Sequence, residues 1–251
     1  MDAGWVGSGW GTAVVTGASA GIGAATAVRL AREGFDVVLG ARRPERLEEV
    51  AARCGGRALQ LDVTDASSVE GFAAAVDDAR VLVNNAGLGL GLDPLAEISD
   101  DKLRTMWETN VAGLVRMTRA FLPQLDASGA GHIVNVGSTS SIETYAGGGG
   151  YTATKHAVRA LTETLRKELL GRPIRVTQVN PGLVETEFSL VRFEGDAARS
   201  KKPYEGMEPL VADDVADCIA WAVTRPPRVN VDEIVVRPLA QATSTMIHRT
   251  T

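Results

Sequence analysis

Short runs rich in Val, Ile and Leu alternate along the chain with longer segments whose apolar residues recur at helical spacing. The runs predict strands over 12–16, 36–40, 58–61, 80–84, 132–137, 174–179 and 233–236. The longer segments predict helices over 21–33, 44–53, 67–77, 100–126, 151–171 and 212–224. Apolar runs without polar alternation suit strands covered on both faces, and strands separated by helices pair in parallel through crossovers. The expected fold class is therefore α/β: a doubly wound, seven-stranded parallel sheet with helices on both faces, forming a single domain over 1–251. Only 187–209 breaks the alternation. It is polar, charged and interrupted by Gly and Pro, and reads as an irregular, mobile loop beside a site.

Composition narrows the classes. With 45% hydrophobic and 23% charged residues, the 251-residue chain has enough apolar surface for one large core. Its 27 glycines exceed the usual share of about 7% and imply tight turns. A net charge of −5 argues against nucleic acid or an anionic membrane as partner, so an anionic ligand must be held by local groups. No apolar stretch is long enough to span a bilayer, and 1–11 has neither a basic start nor an apolar core of a signal segment, so a cytoplasmic location is expected. Cys54 and Cys218 are isolated thiols, and His132, His156 and His248 have no metal-ligand spacing, so no metal is expected.

After the first predicted strand comes Thr16-Gly17-Ala18-Ser19-Ala20-Gly21-Ile22-Gly23, running directly into a helix. Glycines let such a turn approach a pyrophosphate, and free N–H groups at the helix start favour negative charge. This TGxxxGxG pattern resembles the classical short-chain dehydrogenase/reductase family, with its Rossmann fold. The resemblance continues through Asp62-Val63, Asn84-Asn85-Ala86-Gly87, Asn110, Ser138, Tyr151 with Lys155, and Pro181-Gly182. It implies a dinucleotide held by the glycine turn, with Asp62 and Val63 at the adenine and Asn85, Ala86 and Gly87 at its ribose. Val184 and Thr186 would hold the nicotinamide carboxamide, and Asn84 would tie neighbouring strands.

The end of the second strand bears on cofactor choice. NAD-dependent members carry an aspartate where this chain has Ala41, and Arg42-Arg43 follow. Arginine there accommodates a 2′-phosphate, so NADP is expected, with Arg42 as its main ligand and Arg43 either stacking on adenine or pairing as well.

Tyr151 and Lys155, four apart on a predicted helix, share a face. An adjacent ammonium is expected to lower the phenol's pKa and fit Tyr151 for general acid-base work. Ser138, at the C-terminal end of a strand, would hydrogen-bond the reacting oxygen. The family resemblance makes Asn110 the fourth catalytic residue, holding a water that relays protons to Lys155.

A narrower resemblance, to the NADP-dependent 3-hydroxy acid and serine dehydrogenases that also reduce malonic semialdehyde, rests on Tyr145-Ala146-Gly147-Gly148, Pro181-Gly182-Leu183-Val184, Glu187-Phe188-Ser189, Val191-Arg192-Phe193, Gly195-Asp196 and His248-Arg249. It implies a small hydroxy acid as substrate, with Arg192 a bidentate partner for its carboxylate alongside Ser138 and Tyr151. Gly149 and Gly150 depart from that group and are expected to widen the pocket. Reduction of an uncharged ketone or aldehyde is the alternative reading, and a catalytically silent dinucleotide sensor a third. Surplus apolar residues on the two longest helices, together with the family's habit, imply a homotetramer or homodimer.

Overall fold

The computed structural model describes residues 10–250; most of the N-terminal segment read above for a signal sequence lies outside them. Seven strands, β1 (Thr12–Thr16), β2 (Asp36–Ala41), β3 (Arg57–Gln60), β4 (Ala79–Asn84), β5 (Gly131–Val136), β6 (Ile174–Pro181) and β7 (Glu233–Val236), form one sheet among the described residues. The order is β3-β2-β1-β4-β5-β6-β7, and every pairing is parallel. The helices are α1 (Gly21–Arg32), α2 (Pro44–Cys54), α3 (Ala66–Ala74), α4 (Asp100–Trp107), α5 (Gly113–Ala127), α6 (Gly149–Glu168), α7 (Glu187–Arg192), α8 (Ala197–Lys201) and α9 (Ala212–Val223).

Alternate residues of each central strand enter two separate cores. Ala13 and Val15 of β1, Val81 and Val83 of β4, and Val134 and Val136 of β5 face α1 and α9 on one side. Val14, Leu82 and Ile133 face Met117 and Phe121 of α5 and Phe72 of α3 on the other. Both faces are buried, and this is why the strands read as largely apolar runs. Burial of a Phe or Leu side chain contributes about 1.5–3 kcal/mol, so the layers on both faces hold the strand ends in place as a scaffold. Asn84 does tie the sheet together: its Nδ2 donates to Asn135 Oδ1 at 3.0 Å and to Thr118 Oγ1 at 3.2 Å.

Two expectations need correction. The helix read as continuous over 100–126 is broken by a π-helical turn at Glu108–Ala112 that carries buried Asn110. One extra residue per turn rotates Asn110 inward, a device common at functional sites. The segment 187–209 is not irregular. It contains α7, α8 and a 3₁₀ turn, Lys202–Tyr204, with Asp196 capping α8 through Ala198 N and Arg199 N.

Candidate active site

β1 and β4 are adjacent, but their crossovers run to opposite edges of the sheet, which opens a crevice at their C-terminal ends. A cavity of about 610 Å³ extends from the end of β2, past the glycine turn, to the space between β5, α6 and α7. Gly17 has φ +65°, and a Cβ on it would meet Ala86 Cα at 2.9 Å; a Cβ on Gly23 would meet Gly17 O at 2.5 Å. No larger residue fits at either glycine. Thr16 Oγ1 accepts from Asn85 N and Ala86 N, each at 3.0 Å, while Asn85 Nδ2 donates to Thr16 O at 2.9 Å. Asn85 therefore braces the glycine turn as well as lining the cavity. α1 starts at Ala20 with no side-chain cap and no acidic residue in its first turn, leaving its first N–H groups open to the crevice.

At the end of the cavity beside β2, Asp62 and Val63 line the wall, with Asp62 Oδ1 accepting from Thr64 N at 2.9 Å. Ala41 is buried, and Arg42 and Arg43 are exposed beside it. Arg42 makes no side-chain hydrogen bond among the described residues. Arg43 donates through Nε and Nη2 to Ser19 Oγ, at 3.3 and 3.1 Å, and through Nη1 to Glu187 Oε2 at 2.9 Å.

The opposite end of the cavity brings Ser138, Tyr151 and Lys155 together. Gly137 lets β5 deliver Ser138, because a Cβ there would lie 1.9 Å from Asn180 Oδ1, which itself accepts from Ser138 N at 3.1 Å. Ser138 Oγ accepts from Ser140 N at 3.0 Å, which fixes the hydroxyl in a short turn. Lys155 Nζ donates to Val136 O at 2.9 Å and lies 5.8 Å from the Tyr151 ring centroid. Burial brings the Lys155 ammonium down to about 8. The Tyr151 phenol is raised, not lowered, to about 12: loss of water outweighs the help of Arg192 and Ser138 to the phenolate. Asn110 Nδ2 donates to Leu88 O at 2.8 Å and Thr154 Oγ1 at 3.0 Å, and its Oδ1 accepts from Leu88 N at 2.8 Å. Its side chain thus pins the loop after β4 to α6.

Arg192 lies over Tyr151. Its guanidinium carbon is 4.6 Å from the Tyr151 ring centroid and 4.9 Å from that of Phe188. Nε and Nη2 are buried, have no hydrogen-bond partner among the described residues, and pair with no carboxylate there. Gly89 makes room for them: a Cβ would come within 2.9 Å of both nitrogens. Gly149 and Gly150 do not widen the pocket, contrary to expectation. Their missing side chains are replaced by Leu95, and by Met106, Ile98 and Leu103, which pack tightly against the start of α6.

Several residues that shape the cavity have no local sequence signal. Gln241 Oε1 accepts from Leu183 N at 2.8 Å, and Ser244 is held by Glu143 Oε2 at 2.5 Å, so the C-terminal segment closes one wall. Tyr204 Oη donates to Val184 O at 2.8 Å and contacts Ser189 Oγ at 2.6 Å, seating α7. Of the histidines, His132 Nε2 meets Thr177 Oγ1 at 2.7 Å inside the sheet, far below its ordinary pKa through burial, and His156 Nδ1 meets Thr152 O at 2.9 Å. No group of three His, Cys, Asp or Glu among the described residues could hold a metal ion.

Residues 11–196 match the short chain dehydrogenase family model. An uncharacterized oxidoreductase of Mycobacterium tuberculosis is 54% identical over 232 residues, 92% of each chain. An NADP-dependent 3-hydroxy acid dehydrogenase of Schizosaccharomyces pombe is 40% identical, covering 95% of this chain and 96% of its own. Among solved structures, the closed form of a serine dehydrogenase complexed with NADP+ superposes with a TM-score of 0.90 at 40% identity, over 95% of this chain and all of that one. Fold, glycine turn, site geometry and these likenesses agree: the chain belongs to the short-chain dehydrogenase family.

Proposed function

We propose that this protein is an NADP-dependent oxidoreductase that interconverts a small 3-hydroxy acid and its carbonyl counterpart. The observation that carries the reading is Arg192, whose buried Nε and Nη2 have no hydrogen-bond partner among the described residues and lie beside the Tyr151 ring. Unmet donors of a buried cation cost stability, and a carboxylate matches their fork with two parallel bonds. The glycine turn and uncapped α1 suit a pyrophosphate, and Arg42 and Arg43 suit a 2′-phosphate, so the crevice fits NADP.

When bound, that cofactor would supply or accept the hydride. Gly17, Ser19, Ala20, Gly21, Ile22 and Gly23 would cradle its phosphates, while Asp62, Val63, Asn85, Ala86 and Gly87 would flank the adenosine. Pro181, Gly182, Val184 and Thr186 would position the nicotinamide. Ser138 Oγ holds the reacting oxygen, and Tyr151 Oη gives it a proton in reduction and takes one in oxidation. Lys155 stabilises the resulting phenolate by its charge, and Asn110 is a positioning residue. Initial rates on short 3-hydroxy acids and their methyl esters, with NADP and NAD, test the reading. Faster turnover of the esters would instead favour an uncharged carbonyl, and no turnover of any substrate a silent sensor.

Two expected results follow from the wiring. Because the Tyr151 phenol is held up to about 12, it stays protonated through neutral pH, and the group that titrates first is Lys155 at about 8. For carbonyl reduction, kcat/KM is level on the acid side and falls as pH rises through about 8, where Lys155 loses its charge. A fall at the same pH in Lys155→Arg, whose charge does not titrate there, assigns it elsewhere. At the other end, Ala41→Asp with Arg42→Leu weakens NADP and improves NAD, each by roughly tenfold, since a carboxylate repels the phosphate and accepts ribose hydroxyls. Fluorescence titration with both cofactors checks this, and an unchanged preference places the phosphate site elsewhere.

The assembly proposed is a homotetramer or homodimer, located in the cytoplasm. It is supported by Trp107, half exposed on α4, which with Val111, Val115, Ala157 and Leu161 lines an apolar groove between the helices. Its two cysteines are unpaired, and no helix of the described residues is long and apolar enough to cross a membrane. Light scattering reads the mass directly.

A further inference from the structure

Glu187 opens α7, the helix that carries Phe188 and Arg192, yet its carboxylate faces the cofactor end of the cavity. Oε2 accepts from Arg43 Nη1 at 2.9 Å, and Oε1 pairs with the Arg46 guanidinium. Arg43 turns its other two nitrogens, Nε and Nη2, to Ser19 Oγ, in the glycine turn. Burial pushes the Glu187 carboxyl up, but the bonds from Arg43 and Arg46 outweigh it and hold the group below the usual carboxylate range, ionised at neutral pH. Two cations, Arg43 and Arg46, thus hold one internal anion in the cavity that Arg42 also lines, where a ligand phosphate would arrive.

We propose that Glu187 is a built-in competitor for the ribose 2′-phosphate: it occupies Arg43 in the free protein and yields that guanidinium when NADP binds. The inference rests on the NADP reading above. Arg46 provides the second hold, keeping α7 tethered to α2 while Arg43 changes partner. A phosphate carries more charge than a carboxylate and offers more acceptor oxygens, so the exchange runs toward the ligand. Both ion pairs are partly exposed, and each is worth little individually. The competitor therefore lowers affinity modestly and selectively, acting only on ligands that bear the 2′-phosphate. It also links the two ends of the cavity, since the residue released by the cofactor opens the helix that carries Arg192.

Calorimetric titration of wild type and Glu187→Gln with adenosine 2′,5′-bisphosphate and with adenosine 5′-monophosphate isolates the 2′-phosphate. In Glu187→Gln the bisphosphate binds about three- to fivefold more tightly and the monophosphate is unchanged. Adding Arg43→Met removes that gain. Unchanged or weaker bisphosphate binding in Glu187→Gln, or an equal gain for both ligands, overturns the competition. Wild-type protein that binds the two ligands equally overturns the NADP reading itself, and the inference with it.

Discussion

Tyr151→Phe lowers turnover in both directions by about a hundredfold or more, the scale of general acid-base catalysis, while cofactor affinity stays close to that of wild type. The substitution deletes one hydroxyl and nothing else in the packing. The ring still packs at a tilt against Phe188, with centroids 5.4 Å apart, and still lies under the Arg192 guanidinium. What disappears is the only phenol beside Ser138 among the described residues with Lys155 behind it. Without it, an alkoxide or its proton must be handled by water, which the closely packed α7 restricts. Stopped-flow measurement of the hydride step, paired with fluorescence titration of NADPH, separates the two readouts. A variant that turns over near the wild-type rate removes Tyr151 from the chemistry. One that loses cofactor affinity in proportion to rate makes it a binding residue.

The sheet was readable because its chemistry is local. Val14, Leu82 and Ile133 sit in runs where apolar residues occupy neighbouring positions instead of alternating with polar ones, as a strand buried on both faces requires. Gly17 and Gly23 were readable for a related reason, since each permits a close approach within its own turn or to Asn85 and Ala86 after β4. Asn110 was placed on the right element but in the wrong geometry: the helical pattern around it does not record one inserted residue, so the π turn left no trace. Helices α7 and α8 are too short to show a periodic stripe, and what seats them, Tyr204 on Val184 and Ser189, is tertiary. The Glu187 to Arg43 pair joins residues 144 apart in sequence and had no local signal at all. The Tyr151 phenol went the opposite way from expectation because the spacing shows a lysine four residues on but not the water lost to Phe188 and Arg192 above the ring. Charge partners can be read along a helix; desolvation is set by distant segments.

Arg192→Leu discriminates between substrates as no other single change should. If the guanidinium binds a substrate carboxylate, its loss lowers kcat/KM for 3-hydroxy acids by roughly 2 kcal/mol in transition-state terms, about thirtyfold. The methyl ester of the same acid, which offers no anion, loses far less. The magnitude follows from where the group sits: Nε and Nη2 are buried and, among the described residues, without partners, so a carboxylate arriving there meets a cation screened little by solvent. Leucine removes the guanidinium from over Tyr151 and Phe188, but the helix stays seated through Tyr204 and through Gly91 N, which bonds the Arg192 backbone oxygen at 2.8 Å. The free protein should even gain some stability, because burying unpaired donors is costly and leucine has none. Thermal denaturation of the unliganded variant therefore shows an unchanged or raised midpoint while activity on the acid collapses, a pairing that a misfolded variant cannot give. Equal losses on acid and ester would refute carboxylate recognition by Arg192 and leave the guanidinium as packing over the Tyr151 ring. The substrate would then be an uncharged carbonyl, with Ser138 and Tyr151 keeping their roles.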